Sequence, residues 1–230
     1  MEKGSPHVIV AIDGPAGSGK SSTAREVARR TNSLYIDTGA MYRAVALFCV
    51  ESGLDPRSDQ LGSQLRDVVI RLDPSESGIV VYLNDIDVSE KIRDSRVSAL
   101  SSEVSKNADV RDKMVLLQRQ MAKKCVENGG SVVMEGRDIG TVVFPNAEFK
   151  FFLVADPKVR AKRRADQMRE KGFRADEDKL YQEIVDRDRR DESRELSPLR
   201  KAEFAIEIDT TGLSFEEQVE NIIHVINGNG

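Results

Sequence analysis

Residues Gly14 to Ser21 read G-P-A-G-S-G-K-S, the full phosphate-binding loop pattern G-x-x-x-x-G-K-[ST]. Each fixed position has a physical job. Gly14 and Gly19 let the backbone wrap closely around an anion, in conformations that a Cβ would hinder. The loop N–H groups then point at phosphate oxygens. The candidate nucleotide contacts are therefore Gly14, Pro15, Ala16, Gly17, Ser18, Gly19, Lys20, Ser21 and Ser22. Lys20 can reach the β- and γ-phosphates, and the Ser21 hydroxyl is a candidate Mg²⁺ ligand. The flanks agree. Val8-Ile9-Val10-Ala11-Ile12 is a short apolar run that reads as a buried parallel strand. Beyond the loop, Ala24, Val27 and Ala28 fall at helical spacing, so a helix N-terminus faces the anion. A chance glycine-rich turn is the plain alternative, and strand, loop and helix in order argue against it.

Five short apolar runs extend this pattern: Val8–Ile12, Leu34–Ile36, Ser131–Met134, Phe149–Val154 and Phe204–Ile208. Helices are expected between them, from the loop to Thr31, from about Met41 to Gly53, over most of Val97–Glu127, after Asp156-Pro157, and over Glu177–Arg194. Ser214-Phe215-Glu216-Glu217 is a capping box for a final helix with Val219, Ile222, Ile223 and Ile226 on its core face. Alternation of this kind predicts an α/β fold of the P-loop NTPase type, a doubly wound five-stranded parallel sheet. Val68–Leu72 and Ile79–Leu83 break the rhythm as two strands about the turn Asp73–Gly78, which reads as a β-containing insertion. Met1–Pro6 reads as a short frayed tail.

With 230 residues, 39% hydrophobic and 32% charged, the chain suits one large α/β unit. A net charge of -4 argues against a general nucleic-acid binder. Cys49 and Cys125 lack CxxC spacing, so a disulfide framework or zinc site is not expected and a reducing cytoplasm fits. No apolar run approaches the roughly 18 residues of a membrane span. The two histidines, His7 and His224, sit in the tail and the last helix, which disfavours histidine chemistry. Asp209-Thr210-Thr211-Gly212 matches the DxxG of switch GTPases, but no N-K-x-D guanine motif accompanies it.

Ligands of such sheets collect beyond the carboxyl ends of the strands. Three polar clusters lie there: the loop, Asp37–Arg43, and Glu135-Gly136-Arg137-Asp138. Arg43 in a first helical turn is unfavourable to the helix dipole; it is either simply exposed or opposite an anion. In the third cluster Arg137 can fork onto a phosphate and Asp138 can accept from an exocyclic amine; an internal ion pair is the alternative. Arginine density marks a fourth feature. Asp156–Lys201 holds 15 of the 35 Lys and Arg residues, with Arg160, Arg163, Arg164 and Lys171 crowding one short element. Arg187, Arg190, Asp191 and Arg194 share one helical face behind Leu180 and Ile184. Charge runs are mostly solvated surface. Beside a phosphate loop, however, a helical arginine pair fits a lid that supplies cations and excludes water.

The strings G-P-A-G-S-G-K-S-S (Gly14–Ser22), D-T-G-A-M-Y-R (Asp37–Arg43), E-G-R-D-I-G-T-V-V-F-P (Glu135–Pro145) and R-D-R-R-D-E-S-R (Arg187–Arg194) together resemble the bacterial cytidylate kinases, over about Val8 to Ile226. The resemblance implies a nucleoside monophosphate (NMP) kinase core with a helical arginine-rich lid and a β-containing NMP-binding insertion. It implies one kinase unit over 7–230, with core segments 7–38, 100–155 and 174–230, insertion 39–99 and lid 156–173. The implied reaction moves the γ-phosphoryl of ATP, with Mg²⁺, to CMP or dCMP. By resemblance Thr38, Arg43, Arg137 and Arg187 hold the monophosphate. Ser102, Arg111 and Asp138 read the cytosine edge, and Asp191 and Arg194 face the pentose or base side. Lys20, Arg137, Arg187, Arg160 and Arg164 form the catalytic set, the last two from the lid. Thr38 stands where Ser is common, and Glu135 where Asp is common. If the carboxylate at 135 orients Mg²⁺-bound water, its reach differs by one methylene, and Asp37 is an alternative. A cytoplasmic monomer is implied, acting on small molecules and using neither nucleic acid nor membrane. Rival readings are a kinase for AMP, UMP or shikimate, and a nucleotide-dependent switch.

Overall fold

The computed structural model describes residues 7–75, 78–170 and 172–228. The tail Met1–Pro6, the middle of the turn at Glu76-Ser77, and Lys171 lie outside the described residues. The first strand, β1 (Ile9–Asp13), runs into the glycine loop and then α1 (Lys20–Arg30). There follow β2 (Leu34–Asp37), α2 (Thr38–Ser52), the single turn α3 (Leu61–Gln64), β3 (Ile70–Ser75), β4 (Gly78–Leu83) and β5 (Ile86–Asp87). Next come α4 (Ser95–Val104), α5 (Ala108–Glu127), β6 (Val132–Gly136), β7 (Phe149–Val154), α6 (Pro157–Glu170), α7 (Glu177–Glu192), β8 (Ile206–Asp209) and α8 (Phe215–Ile226).

Five strands form a parallel sheet in the order β2-β6-β1-β7-β8. Helices cover both faces, which is why Val10, Ala11 and Ile12 are all buried rather than alternating. Ala24, Val27 and Ala28 of α1 pack with Val219 and Ile222 of α8 on one face. Met41, Ala44 and Val45 of α2 pack with Met114 of α5 on the other. Parallel register aligns the carboxyl ends: Asp13 pairs with Gly136 and Asp37 with Glu135. The expected clusters thus share one edge. No helix among the described residues is long and apolar enough to cross a membrane.

Several expectations are corrected in detail. Helix α2 begins at Thr38, not Met41, because the Asp37 carboxylate caps it by accepting from Ala40 N at 2.8 Å. Arg43 therefore lies in the second turn, not the first. The run Val97–Glu127 is two helices, with Asn107 capping the second through Val110 N at 3.2 Å. The insertion holds a third antiparallel strand, β5, too short to show a period. Helix α7 stops at Glu192, so Arg194 projects from the loop beyond it. The Ser214–Glu217 capping box is present.

Candidate active site

The loop joins β1 to α1 with Gly14, Gly17 and Gly19 all at positive φ. A Cβ on Gly14 would stand 2.2 Å from the Leu153 carbonyl oxygen, so β7 presses the loop too closely for any side chain there. Donors occupy several of the loop carbonyls. Ser18 Oγ and Lys20 Nζ donate to Pro15 O at 3.1 and 3.2 Å, Arg160 Nη1 to Ala16 O at 3.0 Å, and Thr210 Oγ1 to Ser18 O at 2.9 Å. None of these bonds uses a loop N–H, which leaves the amide edge for an anion. Lys20 is buried. Burial first, then Arg137, pushes its ammonium below the ordinary lysine value, while Glu135 pulls the other way.

Beside Lys20 lies a carboxylate with both oxygens engaged. Ser21 Oγ donates to Glu135 Oε2 at 2.8 Å, and Tyr35 Oη donates to Glu135 Oε1 at 2.7 Å. Burial and the neighbouring Asp37 push the Glu135 carboxyl up. Thr38 Oγ1 donates to Glu135 O at 2.7 Å. Asp37 is engaged elsewhere, capping α2 and accepting from Arg43 Nη2 at 3.1 Å. Of the two candidate carboxylates, Glu135 is therefore the one at Ser21.

The β6 end projects Arg137 and Asp138 toward α5 and α7. Arg137 Nε donates to Asp191 Oδ2 at 2.9 Å, and Arg194 pairs with the other Asp191 oxygen. Burial pushes the Asp191 carboxyl up, but Arg137 and Arg194 outweigh it and hold the group below its usual range. Arg111 pairs with Asp138 and donates to Ser197 Oγ at 2.6 Å. Asp13 anchors the turn that follows, accepting from Ile139 N at 2.9 Å and Gly140 N at 2.8 Å. The internal ion-pair alternative for this cluster is thus present, at Arg111–Asp138.

Arg187 differs from these arginines. Its side chain makes no hydrogen bond or ion pair with a described residue, and its Nε is buried without a partner, as is that of Arg194. Burial and then Arg137 lower its guanidinium to about 10; Asp191 pulls the other way, and Arg164 and Arg43 add to the lowering. A cation that lacks a direct ion-pair partner and has more cations than carboxylates around it suits an anion. A cleft of about 1030 Å³ opens in front of it. Its walls include Gly17, Lys20 and Ser21 of the loop, Ser102 of α4, Arg164 of α6 and Arg187 of α7.

The sequence profile described as cytidylate kinase matches residues 10–228. A protein named cytidylate kinase from Geobacillus kaustophilus is 49% identical over 221 residues, 96% of each chain. One of the same name from Bacillus subtilis is 44% identical over 227 residues, 98% of each chain. The chain belongs to the cytidylate kinase family. A crystal structure of an uncharacterized protein from Eubacterium ventriosum shares the fold, with a TM-score of 0.51 at 14% identity, covering 96% of this chain and 99% of the other.

Within this cytidylate kinase frame, Arg160, expected as a catalytic arginine of the lid, is enclosed and fully engaged with protein acceptors. It is 3% exposed, and its guanidinium donates to Ala155 O, Ala16 O and Asp188 Oδ2 at 2.9, 3.0 and 2.6 Å. It braces α6 and α7 against the loop, while Arg164 remains exposed on the cleft wall. Ser197, Tyr35 and Asp188 escaped the sequence reading. Ser197 sits in an irregular loop at φ 52, where no periodicity marks it. Tyr35 reads as an ordinary strand residue, and Asp188 as one more charge on a charged helix.

Proposed function

We propose that the protein transfers the γ-phosphoryl group of MgATP to CMP or dCMP, giving ADP and CDP or dCDP. The observation that carries this reading is the unpaired Arg187, held among other arginines across one cleft from the phosphate loop. A switch protein needs only one anion site. Two facing sites suit a donor and an acceptor that are both anionic. In the reaction an acceptor phosphate oxygen bonds to the γ-phosphorus, the bond from γ-phosphorus to the bridging oxygen breaks, and its electrons leave on ADP. The acceptor is already an anion, so no strong base is required. Catalysis is alignment plus charge neutralisation.

In this reading the backbone of Gly14, Ala16–Ser22 and the Lys20 ammonium hold the donor phosphates. Thr38, Arg43, Arg137 and Arg187 hold the acceptor phosphate. Ser102, Arg111 and Asp138 read the base, with Asp191 and Arg194 beside them and Ser197 steadying Arg111. Arg164 approaches the transferring group, and Arg160 holds the lid helices to the loop. Segments 39–99 and 156–173 act as the acceptor-binding and lid units. Ser21 and Glu135 are oxygen donors of the kind Mg²⁺ takes alongside phosphates and water, and fit it. When bound, the ion would neutralise charge on the donor phosphates. The remaining parts of the proposal are a cytoplasmic monomer without nucleic-acid or membrane partners; a net charge of -4 supports small-molecule partners.

ADP release from ATP, measured with CMP, dCMP, UMP, AMP, shikimate or no acceptor, tests this function. Stimulation is expected with CMP and dCMP; acceptor-independent hydrolysis would favour a switch. Asp138→Ala is expected to lower kcat/KM on CMP more than on UMP, by about 10- to 100-fold for the lost hydrogen bond from the cytosine amine to a charged acceptor. Equal losses on both would argue against base reading by Asp138.

Proton linkage supplies a second check. A lowered Lys20 is partly neutral in the free site above its depressed value, and donor phosphates favour its charged form. ATP binding at mildly alkaline pH is therefore expected to take up protons and to weaken as pH rises. Calorimetry in two buffers of different ionisation enthalpy measures this. Uptake that persists in Lys20→Ala would assign it to another group.

A further inference from the structure

We infer that Tyr35 is a positioning residue, whose phenol fixes the Glu135 carboxylate on the Ser21 hydroxyl and so sets the metal–nucleotide corner of the site. The inference rests on the reading of that corner given above. In the sheet Tyr35 pairs with Val133 and Asp37 with Glu135. Alternation puts all four side chains on one face, and a long ring on one strand reaches two residues along its neighbour. Tyr35 Oη thus meets Glu135 Oε1 at 2.7 Å while Ser21 Oγ meets Oε2 at 2.8 Å. One donor on each oxygen removes both rotational freedoms of a carboxylate that is 3% exposed. A Ser21 hydroxyl whose hydrogen points at Glu135 turns its lone pairs outward, toward the cleft that Ser21 lines. A glutamate carries its carboxylate one methylene further than an aspartate, and the phenol and the serine meet it there.

Tyr35→Phe keeps the ring and removes this one donor. Mn²⁺ titrated into enzyme holding a non-hydrolysable ATP analogue, followed by electron paramagnetic resonance, is expected to bind about tenfold more weakly, the low end for a lost outer-shell partner. Affinity for the metal-free analogue and for CMP should stay within about twofold, and Glu135→Gln should remove the effect of adding Tyr35→Phe. Unchanged Mn²⁺ affinity in Tyr35→Phe, with a loss in Glu135→Gln, overturns the tyrosine's role and leaves the carboxylate's. Unchanged affinity in both variants overturns the metal corner itself. An equal loss of metal-free nucleotide binding would make Tyr35 a packing residue of the loop and overturn the inference.

Discussion

Lys20→Ala is expected to lower kcat by about 10²- to 10³-fold, the scale on which removal of one preorganised donor reduces transition-state stabilisation. Lys20 opens α1, where the helix dipole already favours an anion, and its ammonium is buried among Glu135, Asp37, Arg137 and Arg187. Among the described residues its ammonium donates a hydrogen bond only to Pro15 O, at 3.2 Å. That weak contact is easily exchanged for phosphate oxygens. The charge matters most as the γ-phosphoryl departs and negative charge builds on the β–γ bridge. The loss should therefore appear in kcat at saturating ATP and CMP, with the KM for CMP changed little. Steady-state ADP formation measures it. Turnover within a few fold of the parent would remove Lys20 from the mechanism.

Arg187→Met is expected to separate activity from stability. Activity should fall by about 10²- to 10³-fold, because the cation that offsets repulsion between donor and acceptor is gone. The fold should not suffer. The wild-type guanidinium is half-buried with its Nε enclosed, lacks an ion-pair partner among the described residues, and lies near Arg137, Arg164 and Arg43, with Asp191 offsetting them only in part. Such a charge is a burden on the empty protein. Its replacement by an unbranched apolar chain should leave Tm unchanged or raise it, by about 2–4 °C for each kcal/mol gained. The contrast is Arg160, whose three acceptors would lose their donor together; its removal should lower Tm. A large fall in Tm with retained kcat in Arg187→Met would recast Arg187 as structural. Thermal unfolding and the coupled kinase assay, run on one preparation, decide between them.

The sequence was legible wherever function depends on spacing along the chain. The eight residues Gly14–Ser21 carried the phosphate loop, and the apolar runs carried a parallel sheet in which only the strand limits moved by a residue or two. The charged string Glu135–Asp138 was readable because a strand ended directly in it. Residues whose roles come from partners far along the chain were less legible. Arg160 and Arg187 both look like charges on charged helices, yet one is a brace and the other an unpaired cation. The difference lies in Ala16 and Asp188, 144 and 28 residues from Arg160.

From the chain alone came the local rules: glycines where a Cβ cannot fit, apolar period, the capping box at Ser214, and hence the α/β class and the phosphate end of the site. Tertiary structure alone decided how the charges are shared out. Asp191 took Arg137 and Arg194, Asp138 took Arg111, Glu135 took Ser21 and Tyr35, and Arg187 was left without an ion-pair partner among the described residues. Pairings across 54, 27, 114 and 100 residues depend on which strand ends the sheet brings side by side. Backbone propensity acts over a few residues, whereas Coulomb attraction and hydrogen bonding act through space, on neighbours that only the folded sheet supplies.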